Sequence, residues 1–169
     1  MGIVKSKLDQ ILDLIEFIHT EIPDGNSLCQ FVTLRSLNES GATQAFIAEL
    51  KPGGLIIPVY QFGFTDEEVA SWTISSIDDH IPTADALKTN TFVWLADNDD
   101  WERDYPALIH HKIPTAETFI CWPIHIRGAY MSVIGVLFKE VILQSYELKN
   151  YLETLSGLVG LDRKSTRLN

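Results

Sequence analysis

Phe119-Ile120-Cys121-Trp122-Pro123-Ile124-His125-Ile126, then Arg127-Gly128, then Met131-Ser132-Val133-Ile134-Gly135-Val136-Leu137-Phe138: these two runs decide the fold of the chain. Branched and aromatic residues fill both runs, and Arg127-Gly128 supplies turn chemistry between them, so the stretch reads as a β-hairpin. Val133, Ile134, Val136 and Leu137 are expected to be buried in a central strand. Gly135 is expected to admit the close approach of a neighbouring element, since it brings no side chain of its own.

Working outward, Thr91-Phe92-Val93-Trp94-Leu95 reads as a further strand. An earlier hairpin is signalled by Ala45 to Leu50, the turn Lys51-Pro52-Gly53-Gly54, and a return strand from Leu55 to Phe62. Pro58 in that return strand predicts an edge or a bulge, because proline has no N–H for the ladder. Asp66-Glu67-Glu68-Val69 looks like the first turn of a short helix, and Pro82 opens another that carries Ala84 to Lys88. The acidic stretch Asp97-Asn98-Asp99-Asp100 reads as a loop leading into a helix from about Trp101 to His111. Helical spacing of apolar residues marks amphipathic helices at about Ile3 to His19, Leu28 to Leu37 and Gln144 to Leu161. This order of elements predicts an α+β domain around an antiparallel sheet.

The composition agrees. The chain has 169 residues, 46% of them hydrophobic and 21% charged, which suits one globular domain rather than a disordered segment. A net charge of −10 argues against direct nucleic-acid binding, which needs clustered positive charge. The apolar runs are too short to cross a bilayer and no signal peptide opens the chain, so the expected location is the cytoplasm, with no membrane partner. Cys29 and Cys121 lie in separate apolar segments and read as buried, reduced thiols. The last eight residues, Asp162 to Asn169, resemble, residue for residue, the translation of a common sequencing adapter. They are set aside, giving an organisation of 1–26 as helix and linker, 27–161 as the domain, and 162–169 as an artefact tail.

Motifs for chemistry are sparse. Pro52-Gly53-Gly54 lacks the Lys and Ser/Thr of a phosphate loop and reads as a turn. His110-His111 are adjacent, so on a helix they point about 100° apart and do not grip one metal from one face. Asp78-Asp79-His80 places a carboxylate beside an imidazole, as acid–base sites do, but no nucleophile accompanies it; a polar cap on the helix at Pro82 is the plainer reading. Asp97 to Asp100 lacks the spacing of a calcium loop. No catalytic residue, metal or cofactor is assigned.

Two segments resemble the GAF domain, a small-molecule sensor fold related to PAS domains. One is Ile81-Pro82-Thr83-Ala84-Asp85-Ala86-Leu87-Lys88-Thr89-Asn90-Thr91-Phe92-Val93-Trp94-Leu95, where Asn90 stands for the usual Gly and Phe92 for a common Pro. The other is Cys121 to Gly128 continuing to Val133-Ile134-Gly135-Val136-Leu137-Phe138, with a turn longer by Ala129-Tyr130-Met131. The resemblance implies a sheet of about five to six strands, N- and C-terminal helices packed on one face, and a ligand pocket under connecting segments on the other. It offers no Cys-His pair for a bilin, no cyclic-nucleotide pattern, and too few cysteines for the usual set of a free methionine sulfoxide reductase.

Trp72, Trp94, Trp101 and Trp122 fall in or beside the middle of the chain. Amphipathic rings with a few polar groups suit a small, flat ligand. The expected site therefore lies between the sheet and the segment from Trp72 to Trp101. Trp94, Trp101 and Trp122 are expected as walls, and His80, Asp85 and Arg103 as polar contacts. By resemblance the chain is expected to be a sensor and not an enzyme. It would bind an unidentified small molecule and signal, as a homodimer through its terminal helices, to an output domain beyond Leu161, such as a LuxR-type transcriptional regulator. The alternative is a stand-alone enzyme on this fold, a thiol-dependent free methionine sulfoxide reductase.

Overall fold

At Lys51-Pro52-Gly53-Gly54 the chain turns back on itself. Gly53 and Gly54 adopt φ of 91° and 84° in the computed structural model of the protein, a region that L side chains rarely enter. The turn joins β1 (Ala42–Lys51) to β2 (Leu55–Phe62) as an antiparallel pair. The register slips between Ile47 and Ala48, whose partners are Tyr60 and Pro58, so Val59 is the extra residue of a bulge beside the proline. The structure describes residues 42–72, 74–111, 116–124 and 131–154. The expected helices at Ile3 to His19 and Leu28 to Leu37, Cys29, the Arg127-Gly128 turn, the last residues of the terminal helix and the tail 162–169 lie outside these residues.

After β2 come α1 (Asp66–Ala70), the two-residue β3 (Ser75–Ser76), α2 (Pro82–Thr89), β4 (Val93–Leu95) and α3 (Asn98–Asp104). A 3-10 turn at Pro106–His111 leads on to β5 (Thr118–Ile124) and β6 (Ser132–Phe138). Helix α4 runs through residues 146–154 of the described chain. The strands form one antiparallel sheet in the order β3-β2-β1-β6-β5-β4. Local chemistry sets the helix ends. Pro82 occupies the start of α2, and Asn90 ends it in the left-handed conformation, φ 55°.

The acidic stretch differs from expectation. Asp97 is the N-cap of α3, its carboxylate accepting from the Asp100 amide at 3.1 Å, and Asp99 and Asp100 form the first turn. Carboxylates favour that position because the helix dipole is positive there. The helix also stops early, at Tyr105, because Pro106 disfavours a helical residue before it.

β6 lies between β1 and β5, and Val133, Ile134, Val136 and Leu137 are all buried, as the hairpin reading expects. Gly135 stands opposite Phe46 of β1. A Cβ at Gly135 would come 2.3 Å from the Phe46 ring, so the ring lies across β6 on bare backbone. That position brings it parallel to Phe119 of β5, two strands away, at 6.0 Å between centroids.

Elements pack on both sides of the sheet. On the first face Ile47, Ile120, Trp122, Ile134 and Phe138 pack with Leu148, Tyr151 and Leu152 of α4. On the second face Ala48, Phe119, Cys121, Val133 and Leu137 pack with α2, α3 and the 3-10 turn through Ala84, Leu87, Trp101 and Tyr105. Among the described residues no helix is long and apolar enough to cross a membrane.

Candidate functional site

The second face carries a run of aromatic rings. Phe46 is stacked with Phe119, and Phe119 is 5.8 Å from Trp101, which adjoins Tyr105 at 6.2 Å. From the other side Trp72 meets Phe46 edge-on at 5.9 Å and Phe64 at 4.8 Å. Trp101 is 9% exposed, and its indole Nε1 is buried without a hydrogen-bond partner. Indole N–H only donates, and a buried donor left open is costly enough that such atoms are rare in folded proteins.

A polar cluster closes the α2 end of this face. The Tyr105 hydroxyl donates to Asp85 Oδ2 at 2.7 Å, and His80 Nδ1 lies 3.2 Å from the same oxygen. His80 Nε2 is 2.7 Å from the Asp104 carbonyl, and its ring stacks on Tyr105 at 4.7 Å. Lys88 Nζ is 3.4 Å from Asp85 Oδ1. The cluster therefore ties α2 to the end of α3. Burial first, then the hydrogen bond and charge of Asp85, push the Tyr105 phenol well above its ordinary value of 10.0. A raised value means the folded state holds the proton more tightly. The stability it contributes is complete below pH 10 and falls as pH rises beyond it, while the unfolded phenol ionises. Tyr105→Phe is expected to cost about 1 kcal/mol at neutral pH and to flatten the alkaline fall. Thermal melts at pH 8 and at about pH 11 check this; an equally steep fall in the variant would assign it to other groups.

Cys121 is fully buried on the same face. Burial, reinforced by the charge of Asp85, pushes its thiol far up, so it stays protonated and is a poor nucleophile at neutral pH.

The structure separates the expected site residues. Trp101 lies on the second face, while Trp94 and Trp122 pack on the first. The sheet stands between them, so the three do not wall one pocket. Trp94 instead donates from Nε1 to the Ile142 carbonyl at 2.9 Å, and Trp122 stacks on Phe92 at 5.3 Å. His80 and Asp85 do come together. Arg103 stays on the surface of α3, paired with Asp104 at 2.9 Å and Asp100 at 3.0 Å. The hydrogen bond to Asp104 is the first cause of its raised guanidinium value and of the lowered value of Asp104. Phe46 and Phe119 of the strands, and Phe64 and Tyr105 of the connections, share this face with Trp101 without any sequence signal of it, because apolar strand residues do not declare their face until the register is known and connecting residues take theirs from tertiary packing. Among the described residues no cluster of three or more His, Cys, Asp or Glu is placed to hold a metal ion.

No family model matches the sequence, and no curated protein matches it. Solved structures match the fold over nearly the whole chain. The GAF domain of an Acinetobacter phosphoenolpyruvate-protein phosphotransferase is 15% identical with a TM-score of 0.70, covering 95% of this chain and 93% of that one.

The fold is the GAF fold.

A free methionine-R-sulfoxide reductase from Neisseria meningitidis, solved with its substrate, is 11% identical with a TM-score of 0.73, covering 99% of this chain and 97% of that one. A type II free methionine-R-sulfoxide reductase from Thermoplasma acidophilum is 15% identical with a TM-score of 0.60, covering 89% and 94%. These neighbours overturn the expectation that the chain is not an enzyme. The GAF fold carries reductases as well as the GAF domain of a phosphotransferase, and the lack of a familiar catalytic motif does not argue against catalysis.

Proposed function

We propose that the chain binds a small molecule on the second face of its GAF sheet, under the segment from Phe64 to Tyr105, and that free methionine-R-sulfoxide is its first candidate ligand and substrate. One observation carries the reading: the buried, unpartnered Nε1 of Trp101 among aromatic rings, a donor that a ligand would complete. The likeness to reductases of free methionine-R-sulfoxide supports the choice of molecule. Reduction by two thiols, one from the chain and one from an added dithiol such as dithiothreitol, yields methionine, water and a mixed disulfide that the dithiol's second thiol resolves. Cys121 is poorly suited to that chemistry, which leaves Cys29 as the chain's thiol for it. Calorimetry with methionine-R-sulfoxide tests binding, and methionine release with dithiothreitol as reductant tests turnover. Turnover is expected to survive Cys121→Ala and to be lost in Cys29→Ser. No binding at millimolar ligand would overturn the proposal.

A second reading is sensory and is supported by the likeness to the GAF domain of the Acinetobacter phosphotransferase. In it, ligand binding is passed through the terminal helices of a homodimer to an output domain, such as a transcriptional regulator. Binding without turnover, together with a ligand-dependent change in dimerisation by light scattering, selects this reading.

A further inference from the structure

We propose that Trp72 occupies the ligand's place on the second face: a ligand displaces it, lays its apolar body on Phe46, and gives an uncharged acceptor oxygen, sulfoxide or carbonyl, to Trp101 Nε1. This rests on the small-molecule reading above.

Phe46 belongs to β1, which has neighbours on both sides in the sheet, and yet it is only half-buried. The second face is thus incompletely covered at its middle. What lies over Phe46 there is Trp72, touching it edge-on, with Phe64 beside it. The segment that delivers Trp72 is anchored by backbone bonds at its two ends, Trp72 N–H to the Val69 carbonyl and Ser75–Ser76 to β2, and packs lightly between them. Its helix α1 buries none of its own residues and is stabilised from within, by a capping box between Thr65 and Glu68. Ile74, two residues on, is 62% exposed. Swinging the Trp72 side chain aside gives up its ring contacts to Phe46 and Phe64 and uncovers the Phe46 ring, which lies flat because Gly135 has no side chain beneath it.

From Phe46 the ring of Phe119 leads to Trp101, two ring contacts away. Trp101 Nε1 requires an acceptor. An anion does not suit it. Tyr105, which adjoins Trp101, is bonded to Asp85, and Arg103 is turned to Asp100 and Asp104, so this end supplies repulsion rather than a counter-charge. A neutral oxygen on an apolar arm meets both demands; in free methionine-R-sulfoxide the sulfoxide end of the side chain is that arm, and the α-carboxylate would point away from Asp85, Asp100 and Asp104.

The test compares methionine-R-sulfoxide with methionine, which lacks the oxygen, on the full chain. With ¹⁵N-labelled tryptophan, the indole signal of Trp101 is expected to shift with the sulfoxide and to stay in place with methionine. Wild type is expected to prefer the sulfoxide by roughly three- to tenfold, the worth of one hydrogen bond, and Trp101→Phe to lose that preference. Trp72→Ala is expected to bind the sulfoxide several-fold more tightly, since no ring need be displaced. If the sulfoxide binds wild type but Trp72→Ala weakens it, Trp72 is a wall and the inference fails while the small-molecule reading stands. Equal binding of the two ligands, or an unmoved Trp101 signal, likewise overturns the inference alone. If neither ligand binds, both fall.

Discussion

Trp122→Ala is expected to lower stability by about 3–5 kcal/mol, the usual range for emptying a large buried aromatic site. Trp122 is 1% exposed and stacked on Phe92, in the cluster that joins the sheet to α4. The surrounding strands and α4 are fixed by their own packing, so the hole closes only in part. Against a total of roughly 5–15 kcal/mol for a domain, this is a large fraction. The melting temperature is expected to drop by roughly 10 °C or more. Trp122→Phe keeps most of the volume and is expected to bind any second-face ligand as wild type does, because the sheet separates it from Trp101. Denaturant unfolding of the alanine variant and calorimetry on the phenylalanine variant check the two halves. A cost under about 1 kcal/mol would remove Trp122 from the core, and lost affinity in Trp122→Phe would move the site to the first face.

Gly135→Val is expected to destabilise the protein by about 1–3 kcal/mol, although valine is the better strand former. A Cβ there would lie 2.3 Å from Phe46 Cε1 and 2.4 Å from Cζ. A free phenylalanine ring would swing away cheaply, but this one is stacked on the buried ring of Phe119 and has Phe64 beside it. The clash therefore outweighs the propensity. Shortening the ring should relieve it: Gly135→Val combined with Phe46→Ala is expected to cost less than the sum of the two single changes, by at least about 1 kcal/mol. Urea unfolding of the four proteins in the cycle measures this coupling. Strict additivity would mean that the two residues do not meet.

Much of the fold was legible because its signals are local. Gly53 and Gly54 in the turn, Pro58 at the bulge, Pro82 at the start of α2 and Asn90 at its end each act through their own backbone preferences, and each stands where its chemistry places it. The fold class follows from the order of such elements. Part of the site was legible for the same reason: His80 and Asp85 flank one helix start, so their meeting needs little tertiary information.

The amino-acid sequence by itself thus determined the class of fold and most of the described elements, with both ends of α2, but not the bounds of α3 or the short β3. Tertiary structure alone decided which aromatic residues share a face. β5 and β6 are buried on both sides, so they read as continuous apolar runs with no polar alternation to mark inside from outside. The face of Trp122 is fixed by its pairing with Ile134, and that of Trp94 by its pairing with Ile120. Trp101 belongs to a helix that returns over the opposite side. The approach of Phe46 to Gly135 and the open donor of Trp101 arise between residues distant in the chain. No local preference encodes them, because they exist only once register and packing have brought those residues together.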